Sequence, residues 1–148
     1  MNRLRHAVLL ATAMTLLAAP PLAAKPSGYA TAIADKARVD KNRALDEGRM
    51  PADMLDFAGI KRGDVVADYQ AGGGYYTELI SRVVGPKGRV YAMTQPNFYE
   101  KDYWDKLVAS HPNVFPLVAP GQALTLAPGS VDVIFTHLVY HDLYWESD

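Results

Sequence analysis

The residues best placed to do chemistry lie in one stretch, Val65 to Ile80, which reads VVADYQAGGGYYTELI. An apolar run suited to a buried strand ends at Asp68 and Tyr69. It passes through Gln70, Ala71 and three successive glycines, Gly72 to Gly74, and opens a segment of helical period. Each part has a physical use. Glycine lacks a Cβ, so Gly72 and Gly74 let the backbone turn sharply and let a ligand approach closely. The first turn of the following helix offers unpaired N–H groups and the positive end of a dipole. In open parallel sheets, ligands bind outside the carboxyl ends of the strands, where such a loop sits. The dinucleotide spacing G-x-G-x-x-G, counted from Gly72, puts Thr77 where the third glycine belongs. A phosphate-cradling loop would need Lys followed by Ser or Thr, and this loop has neither.

A second group follows the last predicted strand, in Thr136 to Asp142. His141 beside Asp142 could act as a general base. His137 stands four residues before His141, a spacing that suits a metal if the stretch is helical. Ordinary polar surface explains the same residues, and no metal is assigned. Tyr75 and Tyr76 open the helix beside the glycines, so one of them could touch a ligand. Tyr99, Tyr103, Trp104, Tyr140, Tyr144 and Trp145 could form a stacking surface, although core packing accounts for most aromatics.

The elements that position these residues follow from periodicity. Pro51, Asp53, Met54, Leu55 and Ala58 fit a helix that Gly59 ends. Val65–Tyr69 reads as a first strand and Tyr75–Val84 as a helix with Leu79, Ile80 and Val83 inward. A Gly85–Gly88 turn leads to a second strand at Arg89–Met93. Tyr99–Ser110 reads as an amphipathic helix, Val114–Val118 as a third strand and Val131–Phe135 as a fourth. Strands alternating with helices predict an α/β fold, a parallel sheet with right-handed crossovers covered on both faces. Ala30–Glu47 is helix-prone and charged without a strong apolar stripe; it reads as a solvated helix or an extended arm.

The 148 residues hold 49% hydrophobic and 21% charged side chains at a net charge of -1, which excludes wholesale disorder. Absence of cysteine excludes disulfides, thiolate metal sites and a cysteine nucleophile within this sequence. Charge near zero and no basic patch argue against a nucleic-acid partner. At the start, Arg3 and Arg5 precede the uncharged run Ala7–Ala19, then Pro20, Pro21 and the small residues Ala23 and Ala24. That order is a secretory signal peptide over residues 1–24, with a second candidate cleavage site after Ala30. The run is too short to span a bilayer, although an uncleaved anchor is the rival reading. The predicted organisation is a signal peptide (1–24), an N-terminal helical arm (25–49) and one domain (50–148), in a periplasmic or secreted protein with no stable membrane span after cleavage.

The acidic strand end followed by a compact glycine turn resembles the first motif of class I S-adenosylmethionine (SAM)-dependent methyltransferases, roughly D/E-x-G-x-G-x-G. GGGYYTELISRVVGPKGRVYAM after the first strand and GSVDVIF at the fourth look like the same family, more narrowly its exported bacterial members. The resemblance runs from about Met50 to Leu143. It implies a Rossmann-like parallel sheet, here truncated after the fourth of seven strands, so that the chain is either a fragment or a natural short form. It implies SAM as cofactor and a small-molecule or protein methyl acceptor. Asp68 falls on the acidic position, and Gly72 and Gly74 fall on the later two glycines. Gln70 departs from the pattern by standing on the first glycine position. Thr94, with Gln95 beside it, stands where the family has an acid for the ribose hydroxyls. Ala119 to Gln122 fall near the adenine edge. Two other readings stand beside methyl transfer. One is a non-catalytic exported module with a degenerate methyltransferase fold. The other is a nicotinamide-dependent oxidoreductase, against which the missing third glycine and missing acid both count.

Overall fold

The structure is a computed structural model that describes residues 27–121 and 123–144. The leader predicted over residues 1–24 lies outside the described residues. Helices α1 (Ser27–Ala34), α2 (Asp40–Arg43), α3 (Asp46–Arg49) and α4 (Pro51–Phe57) precede strand β1 (Val65–Tyr69) and helix α5 (Tyr75–Val84). Strand β2 (Arg89–Thr94), helix α6 (Lys101–Ser110), β3 (Val114–Val118) and β4 (Val133–Phe135) complete the regular elements. Short 3-10 turns cover Pro96–Phe98 and Tyr140–Tyr144. No described helix is long and apolar enough to cross a membrane.

All four strands are parallel, in the order β3-β2-β1-β4. The register sets Val66 beside Val90 and Val133, and Val90 beside Val114. Because side chains alternate across a strand, this row lies on one face of the sheet. It is buried with Leu79, Ile80, Trp104 and Leu107 from α5 and α6 in one core. The opposite face carries the row Ala67, Tyr91, Phe115 and Ile134, in which Phe115 and Ile134 are exposed. Among the described residues the sheet is therefore helix-covered on one face, where the sequence predicts cover on both. The link between β3 and β4 forms no helix. Pro120, Gly121, Pro128 and Gly129 interrupt it, and proline and glycine both disfavour helix interiors.

The segment before α4 also differs from the solvated helix predicted at Ala30–Glu47. Three short helices fold back onto α5, held by buried polar side chains. Arg38 is fully buried and forms two hydrogen bonds with the Asp46 carboxylate, at 2.7 and 2.8 Å, and a third with the Ile33 carbonyl at 2.9 Å. Glu78 of α5 is buried; it accepts hydrogen bonds from the Val39 N–H at 2.9 Å and Asn42 Nδ2 at 2.8 Å. Arg38 and Arg82 flank the same carboxylate at 3.7 and 3.5 Å. Ions this deep persist only when paired and hydrogen-bonded, as these are.

Candidate functional site

The turn out of β1 is built on left-handed backbone. Gln70, Gly72 and Gly74 have φ values of 58°, 53° and 74°. Gly74 caps α5, and its carbonyl accepts the first helical hydrogen bond, from Glu78 N at 3.0 Å. The loop has a packed side and an open side. A Cβ on Gly74 would lie 3.0 Å from Tyr103 Cε1 and 3.3 Å from Trp104, whereas one on Gly72 or Gly73 would meet nothing within 4 Å. Backbone on the open side is thus free to contact a ligand closely.

Asp68 points away from that opening. It is buried and accepts hydrogen bonds from the hydroxyl of Thr77, at 2.5 Å, and from the Thr77 N–H. Burial pushes its carboxyl up to about 6, and the two Thr77 hydrogen bonds oppose the rise. Its direct work is to fix the first turn of α5 under the loop. Thr94, at the end of β2, is also buried, and its hydroxyl donates to the Gly72 carbonyl at 3.3 Å. Gln70 Nε2 and the Tyr69 hydroxyl both donate to the Gly121 carbonyl, at 3.0 and 2.5 Å. Gln95 lies against Gly121 as well, so the space between the ends of β2 and β3 narrows to about 10 Å³. Gln70 Oε1 is buried there with no hydrogen-bond partner. The structure thus gathers Asp68, Gln70, Gly72, Gly74, Thr94 and Gln95 around one loop.

His141 and Asp142 lie elsewhere, on the 3-10 turn Tyr140–Tyr144. They pair with each other at 3.0 Å, and the His141 side chain is 74% exposed. No described hydrogen bond or ion pair links them to the glycine loop. The helix that would have set His137 and His141 on one face is absent, because regular structure resumes only at Tyr140. Among the described residues no group of three or more His, Asp or Glu is placed to hold a metal.

The structure brings His137 to the loop instead. Its ring centre is 4.7 Å from that of Tyr76, and it stacks on Phe135 at 6.4 Å. Burial, and then the charge of Arg49, push its imidazole below the ordinary range, which favours the neutral ring. The Tyr76 hydroxyl donates to the Arg49 carbonyl at 2.8 Å, and burial pushes that phenol up to about 12. The Arg49 guanidinium lies over the Tyr75 ring at 4.5 Å, and Tyr75 donates to Asp46 at 2.7 Å. Sequence reading singled out Tyr75, Tyr76 and His137 without linking them, and it missed Arg49. The only local signal for Arg49 is its place just before the Met50-Pro51 helix start.

An all-parallel sheet with a glycine loop leaving the carboxyl end of β1 defines an α/β, Rossmann-like fold of the class I methyltransferase type. Comparison with known proteins agrees. A crystal structure of a SAM-dependent methyltransferase from Aquifex aeolicus superposes with a TM-score of 0.59 at 30% identity, over 73% of this chain and 62% of that one. A protein-L-isoaspartate O-methyltransferase from Ignicoccus hospitalis is 29% identical over 84 residues, 56% of this chain and 40% of that protein. The chain thus spans less than two thirds of the length of either protein. No family model matches the chain.

Proposed function

We propose that this chain is the cofactor-binding, N-terminal part of a SAM-dependent methyltransferase that acts on a small molecule or a protein. The observation that carries the reading is the open side of the loop at Gly72 and Gly73, set between an ordered helix start and the end of β2. That cradle fits the amino-acid end of SAM, since backbone can approach it and no side chain fills it. Bound SAM supplies a methyl group on a sulfonium, ready for a nucleophile. This chain's own part is mainly positioning. Asp68 holds α5 in place, and Thr94 holds the Gly72 carbonyl. Gln95 and Gln70 stand at the nucleobase end, where the Gly121 connection has to move aside to admit a ring. His141 with Asp142 would serve as a base on the acceptor side. The leader-like residues 1–24 support export to the periplasm or medium. The partial coverage of both methyltransferases supports reading the chain as a fragment.

One observation favours a second reading, a non-catalytic module. Gln70 and Gln95 close on Gly121, and the Thr94 hydroxyl is turned toward Gly72 O, so the ribose and nucleobase positions hold protein. Calorimetric titration with S-adenosylhomocysteine separates the two. Methyl transfer predicts saturable binding, abolished by Gly72→Asp. A Cβ at Gly72 would meet nothing within 4 Å, but its φ of 53° strains any side chain there, so the loss of binding counts only where circular dichroism and thermal unfolding show the variant folded. A folded chain that gives no binding heat refutes the methyltransferase reading.

A further inference from the structure

Beside the glycine loop lies a cation with no counter-ion among the described residues. Among the described arginines, buried Arg38 faces Asp46 and Glu78, and half-buried Arg82 faces Asp35 and Glu78. Arg49 is half-buried too, yet no described carboxylate lies within ion-pairing distance of it. Asp46, the acid one helical turn earlier, is taken by Arg38 and by the Tyr75 hydroxyl. The guanidinium is nevertheless held in place, over the Tyr75 ring at 4.5 Å, with its own carbonyl tied to Tyr76. His137, packed on Tyr76, feels its charge and has no described hydrogen bond to either ring nitrogen. The residues that follow this pair, Met50 and Leu138, are both exposed and both hold left-handed backbone, with φ of 44° and 62°. A half-buried guanidinium is matched by a planar anion that can take two hydrogen bonds at once.

We infer that Arg49, with His137 beside it, is a carboxylate-binding subsite of this protein. The carboxylate belongs either to the methyl acceptor or to the amino-acid end of the cofactor. These sources rest on the methyltransferase reading; the binding of a carboxylate by Arg49 does not.

The test uses the full chain, its Arg49→Met and Arg49→Lys variants, and titrations followed by calorimetry and by the His137 ring signals in NMR. The probes are benzoate, neutral benzamide, S-adenosylhomocysteine and methylthioadenosine, which lacks the amino-acid end. Benzoate should bind the wild type and benzamide should not. Arg49→Met should weaken benzoate about tenfold or more, with Arg49→Lys between. If benzoate binds chain saturated with S-adenosylhomocysteine, the subsite is the acceptor's. If the two compete, and Arg49→Met weakens S-adenosylhomocysteine but not methylthioadenosine, it is the cofactor's. The thermal unfolding midpoint of Arg49→Met should fall only slightly, by the loss of the contact with the Tyr75 ring, because the side chain carries no described ion pair. Equal binding of benzoate and benzamide, or unchanged affinities in Arg49→Met, overturns the inference while leaving the cofactor reading intact. Arg49-dependent benzoate binding by a chain that ignores S-adenosylhomocysteine does the reverse.

Discussion

Asp68→Asn tests the claim that the acid at the end of β1 serves the fold rather than the opening. The carboxyl sits near 6 in the folded chain against an ordinary value of 3.8, with burial as the largest cause. A folded pKa above the unfolded one means the native state binds the proton more tightly. The stability this group contributes is therefore full below pH 4 and is lost as pH rises through about 6. The gap corresponds to about 3 kcal/mol, all of it lost by pH 8. Asparagine removes that titration but leaves a buried amide N–H2 to satisfy, a pH-independent cost of about 1–3 kcal/mol. The measurement is urea unfolding of both proteins at intervals between pH 4 and 8. Every other group titrates alike in the two, so the difference between them isolates Asp68. Wild type should be the more stable at pH 4, and the variant should close the gap or pass it by pH 8. A difference that stays constant across the range refutes a buried, raised Asp68 and the anchoring role built on it.

Glu78→Gln should cost about 3–5 kcal/mol in the same assay, because Arg38 and Arg82 lose the carboxylate they share. Gly74→Ala should lower stability by about 1–3 kcal/mol, read as a lowered urea midpoint. Its φ of 74° disfavours a Cβ, and that Cβ would press on Tyr103 and Trp104. Gln70→Gly should tighten S-adenosylhomocysteine binding in calorimetry, since it relieves a left-handed glutamine and releases one of the bonds on Gly121. Weaker binding would show that the Gln70 amide contacts the ligand.

The parts of this molecule that were legible in the sequence are those whose partners are local or whose pattern is apolar. Val65–Tyr69 and Tyr75–Val84 were readable because burial and period agree there, and the structure sets both where the pattern puts them. The fourth strand begins later than its apolar run suggests. Asp132 instead spends its backbone N–H and its carboxylate on the first residue of β1. Ala30–Glu47 misled because its burial is polar. Arg38 and Asn42 look like surface until Glu78, some forty residues on, is placed against them. Arg49 was invisible for a related reason. What makes it notable is that no described acid pairs with it, and which acids are already engaged is a property of the folded chain.

Among the described residues, three that are not glycine hold left-handed backbone: Met50, Gln70 and Leu138. Each costs about 1–2 kcal/mol against an ordinary conformation. None lies at the amino ends of the strands, where turns of equal sharpness are made by Gly63 and Gly85. Gln70 belongs to the loop after β1, Leu138 follows β4, and Met50 follows the arginine bonded to Tyr76. Glycine would remove the strain at all three positions, at the loss of whatever use each side chain has. Gln70 shows one such use in its bond to Gly121. Met50 joins α3 to α4, and its side chain and that of Leu138 are exposed, each next in sequence to Arg49 or His137, for which no described ion pair or ring hydrogen bond is present. Strain of this kind clusters at sites of binding. On that argument the working face of this protein extends from the glycine loop across Tyr76 to Arg49 and His137.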